Sequence, residues 1–334
     1  MGEFELLAKL RGRLPAPGPR VELGSGDDAA VMVPGGATAT SVDAIVDGVH
    51  FRRSEAPART IGRKALATAL SDLAAMGAEA GEAYVILGAP ADLEEDEFDE
   101  LLDGLLEVAV ETGTTLAGGD LTRAPALTLA VTVVGHAPSP GELVPRSGAQ
   151  PGDMLVVTGE LGGAAAGRLL LDRPELATAV SETVADNLRR RQFDPTPRLH
   201  SGRALTAAGA RAMIDLSDGL GGDAQHLARA SGVGLEIEAR SLPLAAGVAE
   251  IAAAAGLEPL ELAASGGEDY ELLAALPPAR LAAATTAIDA AGETKLTEIG
   301  EVGAGEGVEL RLPAGELLEI GGYDHFSEPR RGFR

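Results

Sequence analysis

The feature that most narrows the fold is the alternation of two hydrophobic periods along the chain. Short runs rich in β-branched residues at 39–42, 83–87, 127–134, 154–158, 234–237 and 271–276 predict strands. Between them lie stretches with helical start and stop signals. Residues 60–76 end before Gly77, residues 94–111 open on an acidic first turn and stop before Gly113, and residues 163–171 follow a glycine pair. Such alternation predicts a mixed α/β (α+β) chain, with sheets flanked by helices. The stretch 137–152, rich in proline and glycine, reads as a linker, and a strand pattern restarts at Met154. Two domains follow, 1–150 and 151–334, and 334 residues are enough for each to bury its own core.

Composition removes several classes of function. Cysteine is absent, which excludes disulfides, thiolate metal sites and cysteine nucleophiles. With 51 acidic and 27 basic residues, the net charge of −24 repels a phosphate backbone, so nucleic acid is not expected as a partner and divalent cations are. The longest apolar runs, such as 126–135, are too short and too rich in threonine to span a bilayer, and residues 1–13 carry acids where a signal peptide needs an apolar stretch. A cytoplasmic location is expected.

Most of the acids are solvated surface, and position singles out the rest. Aspartates recur at special points: Asp27 and Asp28 in a glycine turn, Asp43 and Asp47 after a strand, Asp72 in a helix, Asp120 after Gly118-Gly119, and Asp215 and Asp218 in Ile214-Asp215-Leu216-Ser217-Asp218-Gly219. Singly, each has a structural explanation: Asp28 capping a turn, Asp218 capping a helix that starts near Gly221, Asp72 on a wet helix face. Asp43 and Asp215, however, each terminate an apolar stretch, where open α/β sheets place their ligands. Several carboxylates converging there need cations, and Mg2+ is the natural one, a hard ion that takes a few carboxylates, keeps waters and bridges substrate phosphates.

Any nucleotide site must be built without a P-loop, because none of the three lysines follows a glycine. The protein-kinase glycine loop and His-Arg-Asp loop are also missing. The turns Gly24-Ser25-Gly26-Asp27-Asp28 and Gly118-Gly119-Asp120 can still bring amides and cations to phosphates. The five histidines form no close pair, which excludes a His-Glu-x-x-His zinc site, but His50 lies at the rim of the expected metal site, seven residues after Asp43. In Gly266-Gly267-Glu268-Asp269-Tyr270-Glu271, acids follow a glycine pair before a strand, as a tight turn or as ligands. Tyr323, flanked by glycines near the terminus, is a core anchor or a stacking platform.

Taken together these elements resemble the thiamine-monophosphate kinase family, which shares its fold with aminoimidazole ribonucleotide synthetase. The likeness runs in order through Gly24-Ser25-Gly26-Asp27-Asp28, Ser41-Val42-Asp43, Gly48-Val49-His50-Phe51, Ser71-Asp72-Leu73-Ala74, Gly118-Gly119-Asp120, Asp215-Leu216-Ser217-Asp218-Gly219, Gly266-Gly267-Glu268-Asp269-Tyr270-Glu271 and Tyr323-Asp324-His325-Phe326. It implies that Asp28, Asp43, Asp72, Asp120 and Asp215 hold Mg2+ ions between ATP and substrate, that Asp218 holds a further ion, and that Ser41 and the carbonyl of Val42 add oxygens. It also implies that Gly119, Asp120, Arg146 and Ser217 contact ATP, and that His50, Glu268 and Tyr323 contact thiamine monophosphate. The N-terminal domain would then bind metal and ATP and form a homodimer through its sheet, and the C-terminal domain would complete the site. Two departures stand out: Ser41-Val42 replaces the family's usual threonine pair, and the helix at 94–111 lacks the tyrosine that the family often places near adenine.

The implied chemistry is in-line attack of the acceptor phosphate on the γ-phosphorus of ATP, with no acid–base or nucleophilic side chain. Two alternatives remain open: another ATP-dependent member of the same superfamily, and a non-catalytic acidic metal-binding protein. Absence of cysteine counts against the superfamily members that use one.

Overall fold

A computed structural model describes residues 9–25, 29–312 and 317–318. The chain divides into two compact units, one made of Met1–Leu73 and Ala78–Leu143, the other of Ala74–Gly77 and Val144–Arg334. Asp28 and Tyr323, with the rest of the terminal motif, lie outside the described residues.

In the first unit, β1 (Val21–Leu23) and β2 (Val31–Met32) form a small antiparallel pair. The main sheet has four strands, β3 (Ala37–Val46), β4 (Glu79–Ala89), β5 (Thr115–Arg123) and β6 (Thr128–Ala137), in the order β3-β6-β4-β5. Two helices, α1 (Ala58–Ala75) and α2 (Glu95–Thr112), supply the rest of its core. They cross closely because glycines meet backbone: a Cβ at Gly62 would strike the carbonyl of Leu101, and one at Gly104 the carbonyl of Arg59. Helix α2 opens on Glu95, Asp96 and Glu97, which complement its dipole, and ends at Gly113 in the left-handed conformation at φ 69°.

The second unit is built on a seven-stranded sheet: β7 (Met154–Thr158), β8 (Ala212–Asp215), β9 (Gly234–Glu238), β10 (Leu272–Leu276), β11 (Leu296–Gly303), β12 (Gly307–Arg311) and β13 (Leu317–Leu318). The order is β13-β12-β9-β11-β7-β10-β8, antiparallel throughout except for the β12–β9 pair. Strand β10 lies between β7 and β8, and its Leu-Leu-Ala-Ala-Leu sequence is buried along its whole length. The helices that matter for the site are α3 (Gly163–Asp172), α4 (Glu182–Phe193), α5 (Leu199–Ala208) and α6 (Leu220–Ser231).

Candidate active site

Strand β3 runs past the expected end at Val42, because its pairing with β6 continues from Ala37 opposite Ala137 to Val46 opposite Thr128. Asp43 therefore sits inside the strand, opposite Val131, and it is Asp47 that follows the strand's end. Alternation puts Ser41 and Asp43 on one face and Val42, 65% exposed, on the other. The Ser41 hydroxyl donates to the carboxylate of Asp72 on α1, which ties a strand residue of the expected metal set to its helix residue. Asp43 accepts the N–H of Ala44 at 2.7 Å.

The turn after β3 is closed by backbone bonds from Gly48 to Phe51 (2.8 Å) and from His50 to Val46 (3.0 Å). His50 Nδ1 accepts the Val46 N–H at 3.1 Å, so a neutral ring carries its proton on Nε2. Beneath the turn, the ammonium of Lys64, a residue only 1% exposed, donates to the His50 carbonyl at 3.4 Å. Sequence reasoning passed over Lys64. The available signal was its four-residue spacing with Thr68 and Asp72, which puts the three on one helix face.

Gly118-Gly119-Asp120 lies within β5 and makes no turn, contrary to expectation. The glycines serve strand pairing: Gly119 stands beside Val85 in the parallel β4–β5 ladder, and a Cβ there would collide with the Val85 carbonyl. One register row crosses the sheet through Asp43, Val131, Val85 and Gly119. Asp43 and Asp120 thus belong to opposite edge strands, about 14 Å apart at three inter-strand spacings. Beside β5, a cavity of about 470 Å³ is walled by Phe98, Leu101, Leu102 and Leu105 of α2, and Gly118, Gly119 and Asp120 of β5 also line it.

In the second unit, edge strand β8 ends on Asp215, which is 4% exposed. The chain then turns through Leu216-Ser217-Asp218-Gly219 into α6, whose N-cap residue is Gly219 (φ 99°) and not Asp218. The carboxylate that supports this loop is Asp223, which accepts the Asp218 N–H at 3.0 Å from the first turn of α6. Burial pushes the Asp223 carboxyl up to about 8; the charges of Asp215 and Asp218 add to the shift, while the Asp218 N–H and Arg146 oppose it. Asp223 also escaped sequence reasoning, which looked for acids before the helix and not within its first turn.

The Gly266–Glu271 motif packs directly on this loop. Glu268 donates its N–H to the Ser217 carbonyl at 2.8 Å, Tyr270 donates to Leu216 at 2.9 Å, and Leu216 donates back to Glu271 at 2.8 Å. Both Glu268 (φ 67°) and Tyr270 (φ 50°) hold left-handed backbone, which is costly for residues with a side chain and persists only where the surroundings impose it. Asp269 between them accepts the N–H groups of Gly162 (2.7 Å) and Ala164 (3.2 Å) at the start of α3. Glu271, 1% exposed, receives the Arg198 guanidinium in two bonds of 2.9 and 2.6 Å and the Thr158 hydroxyl at 2.7 Å. The second unit thereby brings together Arg146, Asp215, Ser217, Asp218 and Glu268, whereas Ser41, Asp43, His50, Asp72, Gly119 and Asp120 belong to the first.

Residues 26–137 match the AIR synthase related protein N-terminal domain, and residues 150–313 match the C-terminal domain of the same group. The thiamine-monophosphate kinase of Escherichia coli (strain K12) is 38% identical over 336 residues, an overlap of 98% of this chain and 99% of that one. The crystal structure of thiamine-monophosphate kinase from Stenotrophomonas maltophilia K279a aligns with a TM-score of 0.83 at 35% identity over 95% of this chain and 98% of that one. AaThiL complexed with AMPPCP and TMP aligns with a TM-score of 0.76 at 30% identity over 97% of each chain. With a curated relative this similar along nearly its whole length, and solved structures that share its fold, the chain belongs to the thiamine-monophosphate kinase family.

Proposed function

We propose that this chain transfers the γ-phosphate of ATP to thiamine monophosphate, giving ADP and thiamine diphosphate, with Mg2+ at the aspartates. The observation that carries the reading is the hydrogen-bonded pairing of two loops in the second unit. The Ser217-Asp218 loop has the anionic and hydroxyl groups suited to a nucleotide phosphate and its cation, beside Arg146. The loop bearing Glu268 is bonded to it through the Ser217 carbonyl. Arg146 is suited to neutralise nucleotide phosphates, and the Glu268 carboxylate to face the cationic ring of thiamine. His50 would meet the acceptor from the turn after β3, and Tyr323 from the terminal motif.

The donor set fits Mg2+. Ser41, the Val42 carbonyl, Asp43, Asp72, Asp120, Asp215 and Asp218 offer oxygen alone, as does Asp28, and the charges of Asp215 and Asp218 add to the burial that raises the Asp223 carboxyl beside them. Among the described residues, no three acidic or histidine side chains already surround one cation position. Mg2+ takes a few carboxylates and fills its shell with water and phosphate oxygens. A bound Mg2+ would supply charge neutralisation of the two phosphate groups. The protein's own residues orient the reactants, and they need abstract no proton. A phosphate monoester has a second pKa of about 6, so the attacking oxygen is already ionised at neutral pH.

Two further parts belong to this reading. The apolar cavity beside β5 is proposed as the adenine seat, with Leu101, Leu102 and Phe98 supplying the contact surface in a helix that lacks the family's tyrosine. A homodimer through the first-unit sheets is proposed because β3 and β5 are sheet edges, because the sheet exposes Val42 of β3 (65%) and Ile86 of β4 (49%), and because a second copy can offer its own Asp120 edge to Asp43. Solution scattering at a monomer mass would overturn the dimer. The same reading places the chain in the cytoplasm with its substrates.

The experiment is ADP release with thiamine monophosphate, thiamine, an aminoimidazole precursor, and no acceptor. Turnover with thiamine monophosphate and Mg2+ alone supports the proposal. Equal turnover with thiamine would remove the acceptor phosphate from the mechanism, turnover with the aminoimidazole precursor would point to the synthetase branch, and no turnover to a binding protein.

A further inference from the structure

Two glutamates three residues apart in the Gly266–Glu271 motif meet different side chains. Glu271 is fully buried and meets a guanidinium, Arg198, which cancels its charge. Glu268 meets the side-chain amide of Gln192, whose Nε2 donates to its Oε2. A neutral amide orients a carboxylate and adds no charge of its own. A guanidinium in the same position would compete with any cationic ligand.

Gln192 itself is unusually placed for such a residue. It is 3% exposed, one residue before the end of α4, and buried amides need partners. Helix α4 is fixed from behind: a Cβ at Gly167 of α3 would strike the Leu188 carbonyl, and Leu188 and Phe193 are buried. The donor is therefore mounted on a rigid element, and it acts on a residue whose backbone is in the left-handed region at φ 67°. Ordinary glutamate conformations would swing that carboxylate elsewhere. The Ser217 carbonyl fixes the backbone of Glu268, and Gln192 fixes the side chain.

We propose that Gln192 is a positioning residue for recognition of the acceptor's cationic ring: it aims the Glu268 carboxylate without neutralising it. This rests on the reading that Glu268 faces thiamine. The consequence is a split between substrates, because Gln192 acts through the acceptor side alone.

The test is steady-state kinetics of the full chain with each substrate varied in turn, together with the dissociation constant of unphosphorylated thiamine, which retains the cation. Gln192→Met keeps the length and removes the donor. It should raise KM for thiamine monophosphate and the thiamine Kd about tenfold, the size of a hydrogen bond to a charged group, with KM for ATP and kcat within about twofold. Gln192→Lys keeps a donor but adds the cancelling charge, and it should weaken thiamine at least as much. The double variant Gln192→Met with Glu268→Gln should be no worse than Glu268→Gln alone, since both act through one carboxylate. Should the methionine variant not fold, Gln192→Asn, which withdraws the amide by one methylene, should show the same split. A Glu268→Gln effect on acceptor KM combined with an unchanged Gln192→Met, an equal rise in both KM values, or additive losses in the double variant would each overturn this role for Gln192 alone. An unchanged acceptor KM in Glu268→Gln would overturn the Glu268 reading and this proposal with it.

Discussion

On the outer side of the first unit, acids of α2 are answered by arginines of α1: Arg59 reaches Glu100 at 2.8 Å and Asp103 at 2.9 Å, and Arg63 reaches Glu111 at 3.0 Å. In the second unit, Asp215, Asp218 and Asp223 gather round one loop, and burial, with the charges of Asp215 and Asp218 added, lifts the Asp223 carboxyl to about 8. The same residue types thus do opposite work. Along the α1–α2 face they pair off, half in solvent, and hold two helices in register. Around the Leu216–Gly219 loop they stand together beside Arg146, at the place where we propose that a cation binds.

The largest expected effect separates these two populations by activity. Asp72→Asn should lower turnover on the order of a hundred- to a thousandfold while the protein stays folded, and Asp43→Asn should do the same. Removing either charge should leave the melting temperature without Mg2+ unchanged or higher. Asp103→Asn on the paired face should keep turnover within about twofold. If Asp72→Asn keeps full activity in an ADP-release assay, the metal role of the first-unit aspartates is gone.

The next effect is on stability and separates buried from exposed pairing. Arg198 and Glu271 form an ion pair with side chains 15% and 1% exposed. Arg198→Met should cost about 3–5 kcal/mol in urea denaturation, because it strands a buried carboxylate that also supports Thr158. A loss below about 1 kcal/mol would put this pair in the same class as the α1–α2 ladder.

How much of this was legible in the sequence depended on local signal. Strand β7 appears at 154–158 as read, and β9 and β10 differ from their expected spans by one residue, because the apolar runs of β7 and β10 and the alternation of β9 leave little freedom. Strand β5 was missed, since Gly118-Gly119-Asp120 carries turn chemistry that tertiary pairing with β4 overrides. The end of β3 was missed for a related reason: Asp43 is a poor strand residue, but β6 supplies a partner for ten residues. Glycine-framed motifs pointed to the loops that the second unit joins, yet the left-handed backbone of Glu268 and the support from Gln192 and Asp223 arise from contacts far apart in sequence. No local pattern encodes them.

A smaller effect concerns pH. Burial pushes the Asp269 carboxyl up to about 7 from its ordinary 3.8, against the opposing N–H groups of Gly162 and Ala164. Between those values the folded protein retains a proton that the unfolded chain has released, so stability from this group is fully present below about pH 4 and is lost as pH rises through about 7. Asp269→Asn, which cannot ionise, should flatten the dependence in that window. Urea denaturation from pH 4.5 to 7.5 should show the difference between variant and parent changing steadily in the variant's favour as pH rises. A constant difference would mean that Asp269 is already ionised in the folded protein.

The smallest expected effect tests the paired face itself. Arg59 lies between Glu100, Asp103 and Glu107, with its own side chain 42% exposed and theirs 50%, 32% and 37%. Exposed pairs exchange hydration for modest Coulomb attraction and lose side-chain entropy, so Arg59→Ala should cost far less than Arg198→Met in spite of three partners. Most of that cost should vanish at high salt, where the Debye length falls to about 3 Å at 1 M. The close approach of α1 and α2 at Gly62 and Gly104, which salt does not touch, keeps the helices together. If Arg59→Ala instead costs as much as Arg198→Met, or its cost persists at 1 M salt, the ladder acts as a cooperative network, and the contrast between a dispensable charged surface and an indispensable charged interior fails.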